Sequence, residues 1–270
     1  MHIVFDIGGT KMRIAASPDG TKLSEPVIVG TPLQYNSGIS VLKKQISDLA
    51  AGSKLHAIAG GIAGILDREK TKLVHAPNLP DWTMKPIVED LMTEFRAPVA
   101  VENDAALGGL GEAHHGAGIG RKIVAYITIG TGVGGARIVD GHIDERSFGF
   151  EPGHQIIDYK NHTSLGELIS GKALEARFGR MPSEIADQAV WNEAAEILAC
   201  GIANMIFHWS PDVVVIGGFL SQYIPLERLE EHIPRLVKTY PALPALRKGV
   251  LGERAVLFGA LKLLSSSALL

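Results

Sequence analysis

Carboxylates, amides and glycines recur in this sequence in patterns suited to holding anions and hydroxyl groups. Asp6-Ile7-Gly8-Gly9-Thr10-Lys11 sets an acid beside two glycines, which let backbone N–H groups approach an anion closely. Phosphate and hydrated magnesium both suit such a turn, and so does a plain hairpin capped by Asp6 and Thr10. A second glycine turn, Gly130-Thr131-Gly132-Val133-Gly134-Gly135, has the same two readings, and finding both favours a clasped triphosphate. Glu102-Asn103-Asp104 offers polar groups to hold a hydroxyl and an acid to accept its proton. Taken alone, Asp104 reads more readily as the N-cap of a following helix. Ordinary aspartate is a weak base, but phosphoryl transfer rests mainly on positioning and charge neutralisation. Glu151-Pro152-Gly153-His154 joins a carboxylate to an imidazole across a turn, giving acceptor and donor edges for neighbouring hydroxyls, or else a simple surface turn. Asn78 could bridge two hydroxyls, although loop asparagines more often bond their own backbone. His114 and His115 with Glu112 receive no metal role, because adjacent helical side chains diverge by about 100 degrees.

Rigid elements must hold these groups. Residues 2–7 read as a buried strand and 11–16 as its return, a hairpin presenting Asp6. Ile39, Leu42, Ile46 and Leu49 fall at helical spacing, 56–62 returns to strand character, and Ile87, Val88, Leu91 and Phe95 share a helix face. Residues 98–101 form a short strand that stops before Glu102, and a helix follows over 105–113. Strands at 122–129 and 136–139 flank the second glycine turn. Ile7-Gly8-Gly9-Thr10 and Ile129-Gly130-Thr131-Gly132 suggest a weak internal repeat, each copy opening a lobe with a glycine-turn hairpin. The second half reads as helical over 165–178, 191–207 and 226–238, interrupted by one strand at 213–216. That strand ends in Gly217-Gly218, where open α/β sheets receive ligands. A helix over 255–264 closes the chain, with 265–270 expected to fray.

With 270 residues, 46% hydrophobic and 20% charged, the chain has a globular composition and can bury a large core. Its 31 glycines fit many tight turns or ligand-hugging loops. A net charge of −3 gives no general electrostatic reason to bind nucleic acid or an anionic membrane. Cys200 is the sole cysteine, which excludes an intrachain disulfide and a zinc site built on two thiolates. Neither a secretory leader nor a membrane span is expected, and a cytoplasmic setting fits.

Taken in order, the two glycine turns, Glu102-Asn103-Asp104, Glu151-Pro152-Gly153-His154 and the 213–218 strand end resemble the ROK-family sugar kinases of glucokinase type, over most of the chain. The resemblance implies an α/β, two-lobed actin-like ATPase fold of the ribonuclease H-like, hexokinase type, with a cleft between lobes. Residues 1–105 would form a small lobe completed by a C-terminal helix at 255–270, and 106–254 a large lobe. ATP and Mg2+ would be the cofactors, Asp6 holding magnesium through water. Gly8, Gly9, Thr10, Lys11, Gly130, Thr131 and Gly132 would contact phosphates, and Gly217 and Gly218 the adenosine. Asn78, Asn103, Glu151 and His154 would hold the sugar, with Asp104 as the base for in-line attack on the γ-phosphate by the 6-hydroxyl. Such proteins commonly form homodimers.

Two departures stand out. Many relatives follow the histidine with a cysteine-rich zinc loop, whereas residues 155–164 contain no cysteine, so no zinc site is expected. Another group must then orient His154, and Asp158 is one local candidate. Relatives also place a sugar-binding glutamate where Gly166 stands, leaving Glu167 as its substitute. The implied reaction is phosphorylation of a hexose at its 6-hydroxyl, glucose first, with N-acetylmannosamine, fructose and mannose as alternatives. An ATPase acting on a non-sugar acceptor would share the fold. Sugar-responsive repressors also occur in the family, but Asp6 already belongs to the first glycine turn, so no N-terminal DNA-binding module is expected.

Overall fold

Ile3, Val4, Phe5 and Ile7 are all fully buried, a pattern that a strand shows only when both of its faces are covered. In the computed structural model, which describes residues 1–265, this run lies at the centre of a sheet. The rest of the C-terminal stretch, expected to fray, lies outside the described residues. The chain divides into two units, one made of Met1–Gly111, Glu145–Gly149 and the segment from Arg254 onward, the other of Glu112–Asp144 and Phe150–Glu253.

The first unit contains β1 (His2–Ile7), β2 (Lys11–Ser17), β3 (Val27–Gly30), α1 (Tyr35–Ala50), β4 (Ala57–Ile62), the short strands β5 (Ile65–Leu66) and β6 (Leu73–His75), α2 (Ile87–Phe95), β7 (Val99–Asn103) and most of α3 (Asp104–His115). Its main sheet runs β3-β2-β1-β4-β7, antiparallel at the β1 to β3 end and parallel from β1 to β7. Ile3, Phe5 and Ile7 pack with Leu42, Ile46 and Leu91 of α1 and α2.

The second unit contains β8 (Ile123–Ile129), β9 (Val133–Val139), β10 (His142–Ile143), β11 (Ile156–Asp158), β12 (Thr163–Ser164), α4 (Leu165–Ile169), α5 (Gly171–Phe178), α6 (Gln188–Trp209), β13 (Val213–Gly217), α7 (Leu226–Leu236) and β14 (Ala245–Lys248). Its main sheet, β10-β9-β8-β13-β14, repeats the topology of the first, strand for strand and direction for direction. The two glycine turns occupy equivalent places, between β1 and β2 and between β8 and β9. Among the described residues no helix is long and apolar enough to cross a membrane.

The expected single helix over 165–178 is two. Ser170 is extended (φ −67°, ψ 159°), and its hydroxyl accepts from Ala173 N–H at 3.2 Å, capping α5. The expectation of one strand in the second half is also corrected, since β11, β12 and β14 join β13. Strand β7 runs on through Asn103, so Glu102 and Asn103 are strand residues rather than loop.

The closing helix α8 (Ala255–Leu264) belongs to the first unit and packs on β1, β2 and β4. Its crossing with α3 brings the two backbones into contact: a Cβ on Gly259 would lie 1.9 Å from Leu107 O, and one on Gly111 2.1 Å from Ala255 O. Helices that meet through glycine have no side chain to give way, so Gly259→Ala must push the backbones apart. It should lower stability by about 1–3 kcal/mol or more. The edge-strand change Gly30→Ala, which meets nothing within 4 Å, should stay within about 0.5 kcal/mol. Urea midpoints of the two variants test this, and equal midpoints would refute the tight crossing.

Candidate functional site

In the first unit the chemistry gathers at the carboxyl ends of β1 and β7. Asp6 is only 6% exposed and faces Arg13 across the β1–β2 ladder, where Arg13 Nη1 donates to its Oδ2 at 3.2 Å. The turn beyond is fixed by Gly8 N–H to Lys11 O (3.0 Å) and by Thr31, whose hydroxyl donates to Gly8 O (2.8 Å) and whose N–H donates to Thr10 O (3.0 Å). Thr10 and Lys11 are exposed. Gly9 passes directly over Asn78, whose Cβ would lie 2.8 Å from a Cβ at position 9. The turn therefore needs glycine there, and the contact brings the exposed Asn78 beside the first glycine turn.

At the end of β7 the polar trio divides its roles. Asn103 Oδ1 accepts from Ala106 N–H at 3.0 Å, the bond of an N-cap to the third residue of α3, while its Nδ2 donates to Gly64 O at 3.0 Å. Asn103, not Asp104, is the cap. Asp104 becomes the first residue of α3, with Oδ1 accepting from Ala105 N–H at 2.9 Å. Its surface is partly exposed, yet protein packed around the carboxyl strips away enough water to push its pKa above the ordinary aspartate value, against the pull of the Ala105 N–H and its own. Glu102 is 2% exposed, and its carboxylate pairs with Lys70 and with Arg146 Nη2 at 2.8 Å.

In the second unit, Gly171 N–H donates to Gly130 O (2.7 Å) and Lys172 N–H to Thr131 O (3.2 Å), so the start of α5 abuts the second glycine turn. Gly218 packs against the Ile129 backbone beside it, which brings both predicted nucleotide segments of this unit together. Glu151 and His154 are exposed at the two ends of a buried Pro152-Gly153 pair. Gln155 braces that turn, its Nε2 donating to Pro152 O at 2.8 Å and its Oε1 accepting from Asn204 Nδ2 of α6 at 2.8 Å.

Asp158 does not orient His154. Its oxygens serve its own loop, accepting from Lys160 N–H (2.9 Å), Asn161 N–H (3.3 Å) and Asn161 Nδ2 (2.6 Å). Glu167 instead forms a capping box with Ser164, whose N–H and hydroxyl donate to Oε2 at 2.8 and 2.7 Å. These bonds hold Glu167 below the usual glutamate range, and the charge of His154 lowers it further, so the imidazole and this carboxylate share one neighbourhood.

The sequence matches the ROK family over residues 2–267. The chain belongs to the ROK family. It is 27% identical to a glucokinase of Thermotoga maritima over 93% of this chain and 95% of that one. An N-acetyl-D-glucosamine kinase of Pasteurella multocida is 26% identical over 98% and 100% of the two chains. The crystal structure of a ROK hexokinase from Thermus thermophilus superposes with a TM-score of 0.82 at 27% identity, covering 98% of this chain and 99% of the other. The fold of this ROK chain is accordingly that of the actin-like ATPases, its duplicated sheets included.

Arg13, Lys70 and Arg146 of this ROK chain, each paired with an acid named above, escape the motif reading. Arg13 was within reach of it, because a hairpin turning at 8–10 pairs position 6 with position 13. Arg146 was not, since nothing near it in sequence indicates that it meets Glu102. The proton affinity of Asp104 can be checked through stability. The folded chain holds that proton more tightly than the unfolded one, so wild-type stability falls as pH rises from the ordinary aspartate range through the raised pKa. Asp104→Asn keeps an oxygen for Ala105 N–H and removes that loss. Its urea midpoint should match wild type near about pH 4 and exceed it at about pH 8. A gap independent of pH would refute the raised affinity.

Proposed function

We propose that this chain transfers the γ-phosphoryl group of ATP to the 6-hydroxyl of a hexose, glucose first, with Asp104 as the base. The reading is carried by one contrast in the first unit. Asp6 and Glu102 are each paired with cations, whereas on Asp104 burial raises the proton affinity and only backbone N–H groups oppose it. The glucokinase, hexokinase and N-acetylglucosamine kinase activities of the relatives support a hexose acceptor.

In the proposed reaction the 6-oxygen attacks the γ-phosphorus in line. The new O–P bond forms as the bond to the β–γ bridging oxygen breaks, ADP leaves, and the hydroxyl proton passes to Asp104. A raised pKa makes that carboxylate a better acceptor than an ordinary aspartate. Asn78, Asn103, Glu151 and His154 are proposed to hold the sugar. Asn103 still has one amide hydrogen and one lone pair beyond its cap and its bond to Gly64. Glu167 Oε1 is proposed as a further acceptor, its Oε2 being engaged by Ser164. Gly8 to Lys11 and Gly130 to Gly132 are proposed on the phosphates, and Gly217 and Gly218 against the adenosine.

Magnesium fits this donor set as a companion of the nucleotide. Asp6 is buried and shared with Arg13, so it would hold the ion through coordinated water, and among the described residues no cluster of acids, histidines or cysteines would bind a metal unaided. When bound, the ion supplies neutralisation of phosphate charge.

An ADP-release assay over glucose, mannose, fructose, N-acetylmannosamine and N-acetylglucosamine tests the reading, with glucose expected to give the highest kcat/KM. Asp104→Asn should lower kcat by roughly 10²-fold or more. Folded protein without sugar-dependent turnover would overturn the function, and an unchanged rate in the variant would remove Asp104 from the chemistry.

A further inference from the structure

Glu102 is an expensive residue to bury. Its side chain is 3% exposed and that of Arg146 9%, and an ion pair so far from water seldom stabilises a fold more than apolar residues of the same size would. What such a pair does supply is fixed geometry. Oε1 lies 2.8 Å from Arg146 Nη2 in an ion pair and accepts from Asn103 N–H at 2.8 Å, while Oε2 meets the Lys70 ammonium. The carboxylate is thus held by a cation at each oxygen and also accepts from the backbone of the next residue.

Both cations come from loops. Lys70 sits in the turn between β5 and β6 with a left-handed backbone (φ 56°), a conformation that costs roughly 1–2 kcal/mol outside glycine. Arg146 comes from Glu145–Gly149, the segment that leaves the second unit's run of sequence to join the first unit. The segment is anchored again by Arg68, whose guanidinium carbon lies 5.6 Å from the centre of the Phe148 ring. The turn at residues 67–72 therefore meets the 145–149 loop directly through Arg68 and shares Glu102 with it through Lys70 and Arg146.

From Glu102 the restraint passes along bonds already described. Asn103 N–H is fixed by Glu102, the Asn103 amide caps α3 and ties to Gly64 O, and Asp104 is the next residue. We propose that Arg146, acting through Glu102, is a positioning residue that sets the placement of Asn103 and Asp104 for phosphoryl transfer. The inference rests on the reading of Asp104 as the base. Misplacement of a reacting group by about 1 Å can cost about 10²-fold in rate, so partial loosening here should cost at least about tenfold.

Arg146→Ala and Arg146→Lys, made in the full chain, test it with two readouts. Amide hydrogen exchange at residues 103–106 reports placement, and steady-state kinetics with ATP and the preferred hexose report its consequence. Arg146→Ala should speed exchange at those amides and lower kcat by about tenfold or more, with KM for ATP within about twofold of wild type. Arg146→Lys, which keeps the charge, should recover most of both. In a cycle with Glu102→Gln the double variant should be no slower than the slower single one, because both remove the same restraint. Unchanged exchange in Arg146→Ala would overturn the positioning. Faster exchange with wild-type kcat would reduce the pair to a structural role and equally overturn the proposal. A wild-type enzyme inactive on every sugar would instead strike at the proposed function, and the exchange measurement would still decide whether Arg146 holds the turn.

Discussion

The end of β7 must satisfy two demands at once, and the Asn103 side chain reconciles them. A helix that starts directly from a strand leaves its first N–H groups without partners, and the nearest acid is normally drawn in to satisfy them. Here that acid would be Asp104, and a capping carboxylate is held in its ionised form by the N–H groups it serves. Asn103 accepts the Ala106 N–H instead and anchors itself to Gly64 O, which leaves Asp104 one residue further on, served by the Ala105 N–H and its own. Because an amide is neutral, the cap adds no charge next to the acid.

That arrangement depends in turn on how tightly the first unit closes around α3. The β4 strand beside β7 carries glycine at position 61, where a Cβ would lie 2.5 Å from Val256 and 3.2 Å from the Asp104 Cα. The α8 helix and the start of α3 can therefore lie close against the sheet. Glycine contacts at Gly111 and Gly259 bring the same two helices together further along. The crowding also does chemical work, since packed protein around Asp104 is what raises its proton affinity.

Much of the fold was legible in the sequence because its central strands are continuous apolar runs, as in residues 123–129 and 213–216, and its helices keep regular spacing. The edges were not. Strand β14, Ala-Leu-Arg-Lys, has no β-branched residue and only half-buried side chains, so nothing in it signals a strand until β13 lies alongside. The break at Ser170 was hidden because Leu165, Ile169 and Ala173 keep a four-residue helical spacing across it. At the site, the motifs located the residues but could not apportion their roles. Whether Asn103 or Asp104 caps α3 depends on which is the last extended residue, a matter of one position, and boundaries are the least certain feature of a sequence pattern. Asp158 and Glu167 show the same limit: both are acids near His154 in sequence, and only their local hydrogen bonds separate a loop anchor from a neighbour of the imidazole.

The three acids at these strand ends differ in what surrounds them, and that difference argues for the division of labour. A carboxylate that receives an arginine or a lysine is fixed in position by that pair. Asp6 has Arg13 opposite it in the ladder, and Glu102 has both Arg146 and Lys70. Each is suited to holding something in place, the proposed hydrated magnesium in the first case and the neighbouring backbone in the second. Asp104 sits two residues from Glu102, yet it is governed by desolvation, which favours the protonated form. A base must release water readily and gain from accepting a proton. Of the three, Asp104 is the acid whose surroundings suit the proposed base.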